Sequence, residues 1–329
     1  MRATIGIAIS LIVAAAGVFA FSHRDTLPLA DHRIPIDRMN LTAMTRTSAG
    51  LVAAGELGHI LISTDDGSNW QQAKLSKQRH ALITQLYFAD DKLGLAVGHE
   101  GWILRTTDGG QNWQEVAFNP EASEPLMSVA HFPSGMWMAV GAFGRVMVSY
   151  DNALSWQPMT APGNTDWHLN AIIPSIDHST WLLVGEAGTV FRSKNSGQSW
   201  QQIPEFYNGS FYGGLHLGEG NWLIYGMRGN IYHSADNGLS WQRSQFNLPI
   251  SIFTHRFLPD GQLLLGGQGG ILLNSQDKGK SFSLLQRHGR MTLTDIEARS
   301  DGKLLLSSDE GLLVADIADQ LQQQISASQ

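Results

Sequence analysis

Three acidic residues lie at positions from which they could take part in catalysis. Glu100 and Glu186 each stand inside a short Gly-x-x-Gly segment, and Asp309 holds a similar place near the C-terminus. Glycoside hydrolysis requires two carboxyl groups that face each other across a sugar, roughly 5 to 10 Å apart. No local motif pairs any two of the three residues. Sugar hydrolysis is therefore an alternative function, and the sequence assigns no catalytic residue.

A second set of residues could line a channel or bind a metal. Alignment of the repeats described below puts seven residues at one position of a first strand, near the axis of the fold: Arg46, Tyr87, His131, Ile172, His216, Arg256 and Glu297. Two histidines and a glutamate could ligate zinc. They belong to the third, fifth and seventh repeats, however, which separates them too far for one ion. We expect the polar members to line a solvent-filled channel, and we expect no metal.

The composition excludes several other kinds of chemistry. The 329-residue chain contains no cysteine, which rules out disulfides, thiolate metal sites and a cysteine nucleophile. Its formal net charge is −7 and it has no basic run, so we expect no nucleic-acid partner. Neither a phosphate-binding loop nor a Ser-His-Asp string is recognisable. No cofactor is expected.

One eight-residue box recurs along the chain, and its first copy, residues 63–70, reads Ser-Thr-Asp-Asp-Gly-Ser-Asn-Trp. The aromatic ends of six copies recur every 41 to 44 residues: Trp70, Trp113, Trp156, Trp200, Trp241 and Phe282. The Asp carboxylate and the leading hydroxyl can bond backbone groups of a tight turn, while glycine accepts a positive φ. Ala153 replaces that glycine in the third box and must tolerate strain. We assign the boxes to folding, with the aromatic ring as an anchor between sheets.

A Gly-x-x-Gly signature precedes each box, and it has a seventh copy that no box follows. Its second glycines are Gly58, Gly101, Gly144, Gly188, Gly229, Gly269 and Gly311. Short apolar segments separated by turn signals indicate an all-β chain, and a period near 40 to 45 residues is typical of a four-stranded propeller blade. The sequence therefore predicts a seven-bladed β-propeller of four-stranded blades over residues 27–316.

The missing seventh box predicts how the ring closes. After its third strand the chain turns Ala/Gln-rich, so blade 7 lacks a fourth strand of its own. An open blade would expose a row of unpaired backbone groups. Counting back from the first repeat places residues 29–34 where that strand is needed. We predict that this N-terminal strand closes the ring and that the tail, residues 317–329, forms a short surface helix.

The N-terminus predicts export. Arg2 precedes an apolar run from Ile5 to Phe21, and Val18 and Ala20 have small-residue cleavage spacing. We interpret residues 1–20 as a signal peptide cut after Ala20. An uncleaved membrane anchor is the alternative, because 17 apolar residues are short for a spanning helix without excluding one. Either interpretation places the remainder outside the cytoplasm, in the periplasm or facing it.

The two signatures occur together in residues 96–113, which read Ala-Val-Gly-His-Glu-Gly-Trp-Ile-Leu-Arg-Thr-Thr-Asp-Gly-Gly-Gln-Asn-Trp. This combination resembles the photosystem II stability/assembly factor family, seven-bladed propellers with relatives in non-photosynthetic bacteria. The resemblance covers residues 27–316. It implies a non-enzymatic propeller that binds membrane-protein subunits and holds them during assembly. We therefore expect a binding scaffold or assembly factor for a membrane-protein complex of the cell envelope. A monomer is expected.

A rival interpretation is a box-containing glycosidase such as a sialidase. Arg33-Ile34-Pro35 resembles the tripeptide near the start of sialidases, whose arginine grips the substrate carboxylate. Sialidases have six blades with irregularly spaced boxes, whereas this chain has seven evenly spaced units. The tripeptide also falls in or beside the predicted closing strand. The assembly-factor interpretation is therefore preferred.

Successive turns of a four-stranded blade alternate between the two faces of the disc, which separates the boxes from the Gly-x-x-Gly turns and the loops between blades. We predict that binding occurs on the second face, because its loops vary while the boxes repeat. The candidate residues are His99, Glu100, Glu186, Phe206, Tyr207, Phe211, Tyr212, Arg228, Arg287 and Arg290. The aromatic loop is either a plug over the channel mouth or a partner contact. The arginine loop is either a solvated loop or a contact for an acidic partner.

Overall fold

The computed structural model describes residues 2–21, 35–121, 123–258, 261–318 and 321. The chain divides into two compact units, residues 1–35 and 36–329. The first unit holds one helix, α1 (Arg2–Phe21), which exposes large apolar side chains such as Leu11, Ile12 and Phe19. In the part of the chain that the structure describes, no helix is long and apolar enough to cross a membrane.

The second unit confirms the predicted all-β propeller of seven blades. From the innermost strand outward, blade 1 consists of β1 (Leu41–Thr47), β2 (Gly50–Gly55), β3 (Ile60–Ser63) and β4 (Gln71–Gln72). A short strand, β5 (Lys74–Leu75), follows and pairs in parallel with the last strand of blade 2. Blade 2 consists of β6 (Ile83–Phe88), β7 (Gly94–Gly98), β8 (Ile103–Thr106) and β9 (Asn112–Ala117). Blade 3 consists of β10 (Leu126–His131), β11 (Trp137–Gly141), β12 (Val146–Ser149) and β13 (Gln157–Pro158).

The remaining blades continue in chain order. Blade 4 consists of β14 (Leu169–Pro174), β15 (Trp181–Gly185), β16 (Val190–Ser193) and β17 (Gln201–Gln202). Blade 5 consists of β18 (Phe211–Gly218), β19 (Asn221–Gly226), β20 (Ile231–Ser234) and β21 (Gln242–Arg243). Blade 6 consists of β22 (Ile252–Phe257), β23 (Leu263–Gly267), β24 (Ile271–Ser275) and β25 (Ser283–Gln286). Blade 7 shows three strands among the described residues: β26 (Leu293–Ala298), β27 (Leu304–Ser308) and β28 (Gly311–Ala315).

The ring is held by the first strands, each of which contacts the first strands of the neighbouring blades, with β26 against β1. In blades 1, 2, 4 and 7, the polar side chain at the second position of the first strand donates a hydrogen bond across the blade boundary. Thr84 donates its hydroxyl to the carbonyl of Leu126 over 2.6 Å, and Thr294 donates to the carbonyl of Leu41 over 2.6 Å. Blades 3, 5 and 6 have Met127, Tyr212 and Phe253 at this position.

The predicted closing strand, residues 29–34, lies outside the described residues. Directly after it, the chain already lies beside the open edge of blade 7, where the amide of Leu312 donates to the carbonyl of Ile36 over 3.0 Å. The approach is close, because a side chain at Gly311 would collide with the backbone of Asp37. Of the tail, Ile317 is buried against blade 7 and the amide of Leu321 donates to its carbonyl, as in a helical turn.

The boxes form the turns that the sequence predicts. In the second box, Asp108 accepts hydrogen bonds from the Thr106 hydroxyl, from the backbone amides of Gln111 and Asn112, and from the Asn112 side chain. Ala153 has the expected left-handed backbone, with φ of 62°. The aromatic anchors bury less than expected: Trp113 is buried, but Trp70, Trp156, Trp200 and Trp241 are half-buried.

The large buried indoles belong to other positions. Trp102, Trp137, Trp181 and Trp222 are among the largest fully buried side chains, and the last three start or nearly start the second strands of their blades. Their recurrence at intervals of 44 and 41 residues was a visible signal that the sequence interpretation did not use.

Candidate binding face

The strand order separates the two faces of the propeller. Because each blade is antiparallel in chain order, the boxes lie on one face (the box face) and the Gly-x-x-Gly turns and interblade loops lie on the other (the turn face). Backbone contacts join the turns to the loops. The amide of Gly144 donates to the carbonyl of Trp167 over 3.0 Å, and that of Gly188 donates to Gly209 over 2.7 Å. The predicted turn residues His99, Glu100, Glu186 and Arg228 therefore lie on one face, together with the loops between blades.

The Gly-x-x-Gly turns project side chains from a constrained backbone. The third residue of the turn adopts a left-handed φ at Leu57, Glu100, Phe143, Ala187 and Arg228, at 51° to 58° in every case. This conformation costs a non-glycine residue about 1 to 2 kcal/mol. Phe143 is 65% exposed and Leu57 52% exposed. The turns thus hold exposed apolar and charged side chains on a rigid base.

His99 and Glu100 form the turn of blade 2. The carbonyl of Glu100 accepts a hydrogen bond from the amide of Asn119 over 2.9 Å. Nearby, Arg79 grips both oxygens of Glu115 over 2.6 and 2.7 Å and lies 4.2 Å over the ring of Phe118. The ion pair engages both carboxylate oxygens of Glu115, and it lowers the pKa of that carboxyl.

Glu186 and Tyr212 lie close to each other on neighbouring blades. Glu186 Oε2 accepts a hydrogen bond from the amide of His168 over 3.3 Å. Tyr212 stacks on Phe253 of the next blade, with ring centroids 4.9 Å apart. Burial raises the pKa of Tyr212, and the nearby negative charge of Glu186 adds to the effect. Tyr212 thus interacts with a carboxylate of blade 4 on one side and with a ring of blade 6 on the other.

The rest of the aromatic loop packs elsewhere, which corrects the prediction of a plug over the channel. Phe206 stacks on Trp241 at 5.8 Å and lies 5.1 Å from Tyr232, both in the outer half of blade 5. Phe211 is the first residue of β18 and is fully buried. Tyr207 joins the same interblade cluster. An outer seam between two blades offers these rings more apolar area than a polar channel mouth does.

The three arginines of the candidate set point away from the fold. The amide of Arg228 donates to Ser251 Oγ over 3.3 Å, while its side chain is exposed. Arg287 and Arg290 are also exposed. None of the three makes an ion pair with a residue that the structure describes. Their charges are therefore available to a partner on the turn face.

The predicted first-strand alignment is wrong for part of the set. Arg46, His131 and His216 occupy equivalent positions, paired with Leu51, Trp137 and Trp222. Arg256 and Glu297 lie one residue earlier in their strands and pair with Leu264 and Leu305. Tyr87 is shifted by the same amount and pairs with Leu95. Ile172 is shifted by two residues and pairs with Leu183. Because strand residues alternate in direction, this shift turns Arg256 and Glu297 to the opposite side. The turn between the first two strands has the same length in blades 3, 5, 6 and 7, so the shift comes from the spacing between each box and the next first strand, which is 18 residues from Trp113 to His131 but 16 from Trp241 to Phe257.

These polar residues are bonded within the ring. Arg256 Nη1 lies 2.7 Å from Glu297 Oε1, and Glu297 is almost fully buried. Arg46 pairs with Asp66 and donates to the carbonyl of Ala298 over 3.0 Å. His131 packs on Trp137, and burial lowers the pKa of its ring. Among the described residues, no three His, Asp or Glu side chains form a metal-binding group.

Sequence reasoning missed Asp295, the most perturbed acid in the ring. Its carboxylate accepts hydrogen bonds from the amide of Met44 over 2.8 Å and from the Thr254 hydroxyl over 3.3 Å. Burial nevertheless raises the pKa of Asp295 to about 7. The available signal was that Asp295 occupies a mid-strand position at which the other blades mostly have small or neutral residues.

Two cavities open beside the blades. One of about 320 Å³ lies between the loop that joins blades 3 and 4 and the outer strands of blade 4, with Asp166, Trp167 and Glu205 in its walls. The other, about 360 Å³, lies between blades 2 and 3 and is lined by Phe118, Arg145 and Trp156, among others. The sequence predicted that loops join the blades on this face, but it gave no sign that Asp166, Trp167 and Glu205 line one cleft.

Solved structures share this fold at low sequence identity. A structure described as YCF48 bound to D1 peptide is 17% identical, with a TM-score of 0.68 over 89% of this chain and 100% of that one. YCF48 from Cyanidioschyzon merolae is 14% identical, with a TM-score of 0.65 over 85% of this chain and 96% of that one. A streptogramin B lyase is 10% identical, with a TM-score of 0.70 over 85% and 94% of the two chains.

Comparison with curated protein sequences gives no significant match. A family model does match: that of the photosynthesis system II assembly factor YCF48, over residues 67–315. This range includes the end of the first box, the other five boxes in full, the last six Gly-x-x-Gly turns and all the described strands of blades 2 to 7. The chain therefore belongs to the YCF48 assembly-factor family, a propeller family with a binding and assembly role.

Proposed function

We propose that this protein is a non-enzymatic, exported propeller that binds a subunit of a membrane-protein complex in the cell envelope and holds it during assembly. Family membership supports the binding role. One family structure is described as bound to a D1 peptide, and we extend that mode of action, binding a segment of a membrane-protein subunit, to this chain.

The turn face carries the proposal, because its side chains differ from blade to blade while the boxes repeat. On the box face, the recurring polar groups of a box bond groups of the same turn, as Asp108 does with its four donors. On the turn face, Phe143, Trp167 and Arg228 are exposed on a backbone held by hydrogen bonds. Exposed aromatic and arginine side chains on a rigid base are typical of interface anchors.

The alternative is a glycoside hydrolase, and the fold alone permits an enzyme because a streptogramin B lyase shares it. An acid catalyst requires a raised pKa in a site that a sugar can enter. Asp295 and Glu297 have raised pKa values, but their carboxylates are engaged by groups of neighbouring blades. Glu100 and Glu186 lie on separate blades. The arrangement favours the binding role.

Capture from detergent-solubilised membranes of the source cells tests the binding role. The full-length protein with a C-terminal tag should recover one membrane complex. A variant with Phe143→Ser and Arg228→Glu on the turn face should recover less than a tenth as much. A matched box-face variant, Tyr150→Ser with Lys194→Glu, should recover the native amount. Equal recovery by all three proteins would contradict the proposed face, and turnover of a sugar substrate that requires Glu100 or Glu186 would favour the hydrolase.

The compartment has its own test. We propose that residues 1–20 direct export and that the propeller functions in the periplasm, either released or held by the uncleaved helix. The apolar exposed surface of α1 supports this proposal. A fusion to alkaline phosphatase should be active only when residues 1–21 are present. Mass spectrometry of the N-terminus then distinguishes a chain beginning at Phe21 from an intact anchor, and sedimentation of the propeller checks the expected monomer.

A further inference from the structure

The cleft beside blade 4 has a fixed shape. Its floor is formed by Phe191 of β16 and Ile203, both buried. One wall is the loop that joins blades 3 and 4, which is anchored on both sides of Trp167: the Trp167 carbonyl accepts from Gly144 over 3.0 Å, and its amide donates to Thr165 Oγ1 over 3.1 Å. The opposite wall runs from Ile203 to Glu205. It is held by the amide of Ile203, which donates to the carbonyl of Val190 over 2.9 Å. A ligand would therefore enter a preformed site.

The cleft carries negative charge without compensation. Asp166 and Glu205 are both exposed and both line it, and neither makes a hydrogen bond or an ion pair with a residue that the structure describes. Among the described residues in the cleft walls, none is basic. Trp167 contributes an indole that is 49% exposed. Two free carboxylates beside an open indole match a planar cation better than a neutral or anionic group.

We propose that this cleft binds the guanidinium group of an arginine on the partner segment, an assignment that rests on the proposed binding function of the turn face. The guanidinium presents five N–H donors in a planar fork, which can bond two carboxylates and stack on an indole at the same time. A lysine ammonium is a compact, strongly hydrated point charge, which has neither the planar face that stacks on an indole nor the fixed fork of donors. The cleft volume of about 320 Å³ is within the range of small-ligand pockets and accommodates one long side chain.

NMR titration of the full-length protein tests the assignment. The ligand is N-acetyl-arginine methylamide, and the indole signal of Trp167 is identified by its absence in a Trp167→Phe variant. Arginine should shift this signal with a dissociation constant of roughly millimolar order, as expected for one side chain. The citrulline analogue should not shift it, and the lysine analogue should bind at least fivefold more weakly. Equal binding of either analogue would overturn guanidinium recognition.

Charge variants separate the cleft from the general attraction of an acidic protein. Asp166→Asn with Glu205→Gln should weaken arginine binding at least tenfold. Asp91→Asn with Glu310→Gln removes the same charge from exposed carboxylates that make no described side-chain bond, and it should change binding less than twofold. Similar losses in both double variants would overturn the site. If the native protein binds no arginine but still captures its complex from membranes, the cleft proposal fails and the proposed function stands.

Discussion

The carboxylate of Asp295 in blade 7 accepts a hydrogen bond from the amide of Met44 in blade 1, with 2.8 Å between oxygen and nitrogen. These residues are 251 positions apart in sequence, so the bond ties the last blade to the first. The same carboxylate also accepts from Thr254 in blade 6. One half-buried acid thus links three blades at the seam where the ring closes.

This linkage predicts an unusual pH dependence. The folded pKa of Asp295, about 7, lies above its ordinary value of 3.8, so the folded state binds a proton that the unfolded state releases. The contribution of this group to stability is complete below pH 3.8 and is lost as pH rises through 7. Asp295→Asn should remove this pH dependence, which amounts to roughly 2 to 4 kcal/mol in the free energy of unfolding. Urea unfolding from pH 4 to 8 measures it, and an unchanged slope would contradict the assignment.

His255 should act in the opposite direction. Burial lowers its pKa to about 4, and Tyr225 Oη lies 2.7 Å from its Nδ1. The unfolded histidine binds a proton near pH 6.5, so the contribution is complete above pH 6.5 and is lost as pH falls towards 4. Tyr225→Phe should lower the free energy of unfolding by about 1 to 2 kcal/mol at pH 7, because the half-buried imidazole of His255 loses its partner. Thermal unfolding of Tyr150→Phe, at an exposed tyrosine, provides the control.

Removing the acid of one box should cost stability without affecting binding. Asp108→Ala deletes four hydrogen bonds and leaves backbone amides without an acceptor, so we expect a loss of about 1 to 3 kcal/mol. The lowered pKa of Asp108 further predicts that the native contribution is lost only as pH falls below the ordinary value of 3.8. Asp91→Ala, at an exposed acid, should change stability by less than about 0.5 kcal/mol. Equal effects would remove the assigned role of the box.

The N-terminal segment should be required for a stable ring. A chain beginning at residue 36 leaves the outer edge of β28 without the predicted strand, and Val314 on that strand is already 56% exposed. We expect it to unfold at least about 5 °C lower than a chain beginning at residue 28, and to aggregate more, because a bare strand edge invites pairing. Differential scanning calorimetry compares the two. Identical melting curves would show that residues 29–34 do not close the ring.

Much of the fold was predictable because each blade repeats the same local chemistry. Box turns such as Asp108 with Thr106 form within four residues, so their hydrogen bonds follow from spacing alone. The count of seven blades and the division into two faces follow from the antiparallel order of the strands. The aromatic segment was less predictable, since Phe206 and Tyr207 pack on residues of blade 5 that only the folded ring brings close.

The sequence by itself determined the repeat, the number of blades, the turns and the apolar N-terminal segment, because these depend on patterns within about 40 residues. Only the tertiary structure decided the register of Arg256 and Glu297, the linkage of Asp295 to Met44, and the meeting of Asp166, Trp167 and Glu205 in one cleft. Each of these depends on loop lengths and on contacts between blades. Such contacts form across sequence separations that no local pattern records.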